Sequence, residues 1–302
     1  MPKALTVTDF FARFPTDDAC LDHLMQVRFG ETLACPKCER EGRFSRLRKM
    51  PAYACAWCGH HIHPMQGTPF ERTRTPLQKW FYAMFLFTTT RNGVAAKELQ
   101  RQLGVTYKTA WRMGHEIRKY MANVDGDFTL GGHVEIDEAY IGGKQKGIGR
   151  GNYRAGVTTV FGMVERGGDV VTEIVHTVSR EAVMPMIERL VRRGSKITTD
   201  EHGAYARLSA RGYQHVAINH RAKEYARAEH HTNTVEGFWS IVKRTIRGTH
   251  IHVSPKHLDK YLGEIEFRFN LRKRPEIMFP RLMAGFGGAA IRATASVSPF
   301  GK

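Results

Sequence analysis

Hydrophobic and polar positions along this chain follow two different periods, and the change falls before residue 133. Leu21, Leu24, Met25 and Phe29 share one face of a segment opened by Thr16, which predicts a short helix over 17 to about 29 capped by that threonine. From Pro76 onward Leu77, Trp80, Phe81, Met84 and Phe85 recur at helical spacing until Gly93. Two more helices follow, Val94 to Leu103 and Thr106 to Met121, separated by Gly104 and Val105. Residues 123 to 132 read as a linker. The period then shortens to two. His133 to Ile141, Val157 to Val164 and Val170 to Val178 are β-branched runs split by Gly-rich turns, the pattern of an antiparallel meander. A helix over 180 to 193, a strand over Lys196 to Asp200, another over Tyr213 to Ile218, and helices near 231 to 248 and 255 to 271 complete the pattern. Strands followed by a strand and helix alternation predict a mixed α/β layer on one sheet. The signal fades after Pro275, and the end from Gly285 reads as loosely ordered.

One stretch escapes both periods. Residues 35 to 64 are short of aliphatics and rich in turn formers, so they cannot fold around a core of their own. Cys35-Pro-Lys-Cys38 and Cys55-Ala-Trp-Cys58 supply the remedy: two Cys-x-x-Cys knuckles with sixteen residues between them, in the range of a four-thiolate zinc site. Four protein sulfurs close the shell, which makes the metal structural rather than catalytic. A redox pair would need only one knuckle. The fifth cysteine, Cys20, reads as a small core residue, and His60, His61 and His63 as surface groups or phosphate contacts.

Charge narrows the partner. Of 302 residues, 46 are Lys or Arg and 29 Asp or Glu, a formal +17 spread over the whole chain, which favours a polyanion and nucleic acid first. No apolar run is long enough for a membrane span and the first residues lack a signal-like core, so a cytosolic, nucleoid-associated protein is expected. In the pair of helices around Gly104, apolar faces (Leu99, Leu103; Ala110, Met113, Ile117) oppose cationic ones, as in a helix-turn-helix. Thr106, Tyr107, Lys108, Thr109 and Arg112 then stand near the N-terminus of the reading helix, where base edges and phosphates are met. An ordinary helical hairpin with solvated charges is the plainer alternative. The Gly-rich basic loop after the first long strand offers Lys144, Lys146 and Arg150 as further backbone contacts.

Three acids lie where chemistry would need them. Alternation in His133-Val-Glu-Ile-Asp-Glu138 sends His133, Glu135 and Asp137 to one face of a strand. Asp200 ends its own strand at the carboxyl side, where α/β sheets present their sites. On the helix after residue 231, Asn233, Glu236, Ser240, Lys243 and Arg247 form one stripe beside an apolar stripe of Val235, Trp239, Val242 and Ile246. Taken singly, each acid reads as a surface charge. Together they form an oxygen cage for hard divalent cations, of which two about 4 Å apart promote in-line displacement at phosphorus.

These segments resemble a family. EIDEAYIGGK, TDEHGAY and HTNTVEGFWSIVKRTIRGTH followed by HLDKYLGEIEFRFNLR are similar to the acidic-triad insertion-sequence transposases of the ISXO-like, zinc-ribbon group, over nearly the whole chain from FPTDDAC to FRFNLR. Thirty-five residues separate Asp200 from Glu236, and Lys243 stands seven after it, as in that superfamily's triad-plus-lysine pattern. The resemblance implies a ribonuclease-H-like catalytic domain, Mg²⁺ or Mn²⁺ at Asp137, Asp200 and Glu236 with Asn233 as the other candidate for third ligand, and Zn²⁺ at the cysteines. It also implies cleavage at the element's terminal repeats and transfer of the freed 3′-hydroxyl to target double-stranded DNA, by a homo-oligomer assembled on that DNA. The organisation expected is an N-terminal helical segment (1–30), zinc ribbon (31–70), helix-turn-helix region (75–122), catalytic domain (131–272) and C-terminal tail (273–302). Rival readings are a zinc-ribbon regulator without catalysis, whose three acids would not converge, a nuclease without strand transfer, and a decayed transposase.

Overall fold

The computed structural model describes residues 4–30, 33–125, 129–142, 157–219 and 229–287. It divides into two compact units, one built from residues up to Val124 together with those from Lys273 onward, the other from Asp125 to Arg272.

The first unit opens with α1, Val7–Arg13, which the sequence pattern did not predict, and α2, Asp17–Phe29. Each starts at a threonine whose hydroxyl accepts a first-turn N–H: Thr6 from Asp9 and Thr16 from Ala19, both at 3.2 Å. Three short antiparallel strands follow: β1, Phe44–Arg46; β2, Tyr53–Cys55; β3, His61–Ile62. Next comes α3, Leu77–Thr89, buried on nearly every side. Pro76 sits one place before its first turn, and Asp17 of α2 accepts the Gln78 N–H there at 2.9 Å. The core is aromatic: Phe10, Phe14, Phe81, Phe85 and Phe279 meet at ring distances from 5.1 to 6.2 Å. Phe279 belongs to a helix at Met278–Ala284, beyond the point where the sequence signal fades. Seven residues are too few to show a period, yet Met278, Phe279, Leu282 and Met283 are all buried. Most of the end read as loosely ordered lies outside the described residues.

Two helices complete this unit, α4, Ala96–Leu103, and α5, Tyr107–Val124. Gly104 ends α4 in the left-handed region (φ 60°, ψ 42°), where a side chain would be strained, and lets the chain turn within two residues. Thr106 then accepts the Thr109 N–H at 3.2 Å and starts α5.

The second unit is a five-stranded sheet: β4, His133–Gly142; β5, Val157–Glu165; β6, Val170–Val175; β7, Lys196–Asp200; β8, Gln214–Ile218. Its order is β6-β5-β4-β7-β8, with β4, β5 and β6 antiparallel and β7 and β8 parallel to β4. The meander is therefore as read, with β6 three residues shorter. Helix α6, Arg180–Leu190, ends three residues before the expected Arg193. It covers one face, where Val134, Ile136, Phe161, Met163, Ile187 and Ile197 pack. Two helices, α7 at Asn233–Thr245 and α8 at Pro255–Asn270, cover the other, over Ala139, Ile141, Val160 and Val164. A stretch of π-helix, Ile246–His250, prolongs α7. A sheet buried on both sides explains why apolar residues fill both phases of β4, while its polar residues cluster where a helix end meets the strand.

Candidate active site

Asp137 lies in the middle of β4, on the phase that faces α7. Glu135 is level with Thr198 in the parallel pair β4 and β7, so two residues further on Asp137 comes level with Asp200, the last residue of β7. Glu236 is in the first turn of α7 and exposed, its Oε1 accepting the Thr232 hydroxyl at 2.7 Å. Asp137 feels the charge of both other acids. Burial pushes Asp137 up to about 6, the charges of Asp200 and Glu236 push the same way, and the Glu138 backbone opposes them. Asp200 also accepts the His202 N–H at 2.9 Å, fixing the turn after β7.

A fourth acid, singled out by no sequence pattern, lies within reach of their charge from the opposite face of the sheet. Glu138 points to the α6 face and takes the Tyr205 hydroxyl. Burial first, then Asp200 and Asp137, push its carboxyl up to about 8. Mutual repulsion among partly buried carboxyls is relieved by a cation, and an all-oxygen donor set suits Mg²⁺ or Mn²⁺. The residues present thus fit a divalent ion. Among the described residues, the one group close enough to hold an ion as it stands is the four cysteines.

Glu135 has a different task from its neighbour Asp137. It is fully buried and accepts the N–H groups of Thr234 (2.7 Å) and Val235 (3.0 Å) and the Thr234 hydroxyl (2.8 Å). These are first-turn groups of α7, whose cap residue Thr232 supplies no side-chain acceptor. A strand carboxylate therefore caps the helix that carries Glu236. The Arg166 guanidinium balances the charge at 2.6 Å and bonds the His231 carbonyl at 3.0 Å, while His231 Nδ1 lies 3.2 Å from the same carboxylate. Sequence reading placed Glu135 on the correct phase but could not see this role, because its partners are 99 residues distant. Nearby, His133 bonds Thr198 at 2.8 Å, and burial first, then Arg166, holds its ring down at about 4, neutral.

The expected stripe on α7 is present: Asn233, Glu236, Ser240, Lys243 and Arg247 are exposed, and Val235, Trp239, Val242 and Ile246 buried. Trp239 lies against Gly162, the residue opposite Asp137 across β4 and β5. Its buried Nε1 makes no full hydrogen bond among the described residues, yet its N–H favours the ionised form of Asp137 from longer range.

In the other unit, Cys35, Cys38, Cys55 and Cys58 place their sulfurs within 4.8 Å of one another, with Cys35 to Cys58 at 3.6 Å and Cys38 to Cys55 at 3.8 Å. That is the spacing of a tetrahedral thiolate shell. Cys20 is buried in α2, apart from this group. His61 and His63 are exposed and His60 half-buried. On α5, Thr106, Tyr107, Lys108 and Arg112 are exposed and Thr109 half-buried. Lys97 lies 5.0 Å over the Tyr107 ring, and Arg112 5.4 Å over Trp80. Trp111, which the sequence reading did not single out, is 39% exposed on this surface. Lys144, Lys146 and Arg150 lie outside the described residues.

Comparison with known proteins agrees with this division. Residues 129–270 match the model of the ISXO2-like transposase domain, and residues 15–61 that of the transposase zinc-ribbon domain. The chain is 27% identical over 285 residues to an uncharacterized protein in transposable element ISH50 of Halobacterium salinarum, covering 87% of this chain and 94% of that protein. It is 30% identical over 101 residues to an uncharacterized transposase-like protein of Haemophilus influenzae, covering 33% of this chain and 80% of that one. Among solved structures, the Mos1 strand transfer complex matches at 14% identity and a TM-score of 0.31 over 68% of this chain and 78% of that chain, too low to bear on the fold.

Proposed function

The chain belongs to the ISXO2-like transposase family, and from that premise we propose that it binds the terminal repeats of its element, cleaves there and joins the freed 3′-hydroxyl to target DNA. Residues 131–272 form the ribonuclease-H-like catalytic domain in this reading, supported by three antiparallel strands continued by two parallel ones, with the acids on the central strand and its parallel neighbour. What supports the proposal is that Asp137 on β4 comes level with Asp200 at the end of β7, while Glu236 stands in the first turn of the helix packed over the same face.

Asp137, Asp200 and Glu236 hold the catalytic metal, Mg²⁺ or Mn²⁺, with Asn233 one turn before Glu236 on the same stripe. When bound, a pair of such ions supplies activation of the attacking oxygen and stabilisation of the leaving oxygen. Glu135 holds α7 against β4 and so sets where Glu236 stands. Lys243, two turns further along the exposed stripe, neutralises a DNA phosphate. The α4 and α5 pair (75–122) acts as a helix-turn-helix reading the ends through Thr106, Tyr107, Lys108, Thr109 and Arg112, and the ribbon (31–70) holds Zn²⁺. Residues 1–30 support these modules and 273–302 follow the catalytic domain. The protein works as a homo-oligomer on DNA, in the cytoplasm with the nucleoid. Among the described residues no helix is long and apolar enough to cross a membrane.

The test is strand transfer on end-bearing DNA with Mn²⁺. Asp137→Asn and Asp200→Asn are expected to abolish joined product while end binding persists. Activity in both variants would refute the site, and cleavage without joining in the unaltered protein would leave a nuclease.

A further inference from the structure

The chain leaves α7 through a turn that it has no internal reason to make. The π-helical stretch Ile246–His250 ends at Ile251, which has φ 65° and ψ −54°, and the His252 N–H closes onto the His250 carbonyl at 2.7 Å. This is a γ-turn of the rare, strained form, with positive φ at its centre. A glycine would adopt it freely; a β-branched residue is the least suited. Glu39 and Arg72 are the other non-glycine residues with positive φ among those described, and neither is β-branched. Strain of this kind, and π-helix beside it, cluster at functional positions.

The side chain so held is 84% exposed, the most exposed large hydrophobic among the described residues. Both flanks are fastened. The His250 ring meets Tyr261 edge to face at 4.7 Å, and Val253 is buried with Leu258 and Leu262 in the core under α7 and α8. The apex is therefore displayed on a fixed base. The stretch of chain that carries it is cationic: Lys243, Arg244, Arg247 and Lys256 are exposed, and no acid occurs between Glu236 and Asp259 in the sequence. A lone aliphatic side chain amid cations suits neither a protein core nor a mixed-charge protein interface. It does suit DNA, where apolar wedges enter a base step while Arg and Lys neutralise the flanking phosphates.

Resting on the transposase reading above, we propose that Ile251 is a wedge that inserts into a base step of the duplex held by the catalytic unit. From Glu236 to His250 the helix rises by roughly 20 Å at 1.5 Å per residue. At 3.4 Å per base pair, the distorted step lies within about six base pairs of the reacting phosphate.

The experiment uses the full chain and a duplex carrying the inverted end that flanks its coding sequence, with 2-aminopurine placed in turn at each position over that span. Binding is expected to raise the fluorescence at one step. In Ile251→Gly the rise is lost and affinity for intact duplex falls about tenfold, the scale of burying one aliphatic side chain less. Its melting temperature is unchanged or higher, since glycine relieves the turn. A duplex with a mismatch at that step restores its affinity, and Ile251→Leu retains the rise. An equal rise in the unaltered chain and in Ile251→Gly overturns the wedge, as does binding by the unaltered chain with no rise anywhere. So does a change of subunit number on light scattering in Ile251→Gly with DNA distortion intact, which would make Ile251 a contact between copies. Failure of the unaltered chain to bind the duplex overturns the transposase reading along with it.

Discussion

Trp239 rests on the bare Cα of Gly162: a Cβ added there would lie 2.4 Å from the indole. Because Gly162 pairs with Asp137 across β4 and β5, the contact seats α7 beside Asp137. Gly162→Ala should push the ring and its helix away, costing about 1 to 3 kcal/mol, the usual range for overpacking. Strand transfer should fall by more than stability explains, because Glu236 moves with the helix. Chemical unfolding and a joining assay under folding conditions read the two effects. A variant with unchanged stability and activity would show that α7 has slack at this point.

Glu135 gives the second prediction. Its carboxylate satisfies two helix N–H groups and neutralises Arg166 with essentially no solvent contact. Glu135→Ala strands the guanidinium and both donors, and loss of one partner from a buried pair costs about 3 to 5 kcal/mol. Glu135→Gln keeps an acceptor for the helix and should recover part of that loss. Denaturant titrations of the three proteins provide the check, and a loss under 1 kcal/mol in the alanine variant would mean that water reaches the pair.

The ribbon depends on its metal. Residues 33–64 bury little of their own, and the four sulfurs stand together, so the purified chain should carry about one zinc per chain beside any catalytic ion. Chelation, or Cys38→Ser, should unfold this stretch and weaken end binding without shifting the unfolding transition of the sheet unit. Full end binding after zinc removal would assign recognition wholly to the helices.

A pH dependence follows from Glu266 on α8. Its carboxylate accepts the Thr172 N–H at 3.1 Å and the Thr172 hydroxyl at the edge of β6, and burial pushes its pKa from 4.5 up to about 8. The folded protein thus holds this proton more tightly than the unfolded chain. The resulting stabilisation is complete below about 4.5 and is lost as pH rises to about 8. Glu266→Gln, which carries no charge at any pH, should flatten the decline in stability between pH 6 and pH 8, as melting curves across that interval would reveal. Equal slopes in both proteins would place the decline elsewhere.

Much of this was written in one dimension. The thiolate spacing, the Thr16 cap, the two-residue turn at Gly104 and the stripe on α7 depend on neighbours within a few residues, where periodicity and chain geometry suffice. The short helices, Val7–Arg13 and Met278–Ala284, were not legible, since seven residues hold too little period and their burial comes from partners far along the chain. Strand phase, strand end and helix stripe suggested that Asp137, Asp200 and Glu236 belong together, but how near they come was not legible, because spacing along the chain does not measure distance through a sheet.

What the sequence determined by itself was the inventory: which segments are helix or strand, which four cysteines stand together, and a formal charge of +17. Only the tertiary structure separated Glu135 from Asp137, two carboxylates on the same phase of one strand. One is sealed beneath the end of a helix and the other stands beside further acids. The physical reason is that a carboxylate's role follows from the donors and charges packed around it, and here those come from β5, β7 and α7, brought together only when the sheet forms.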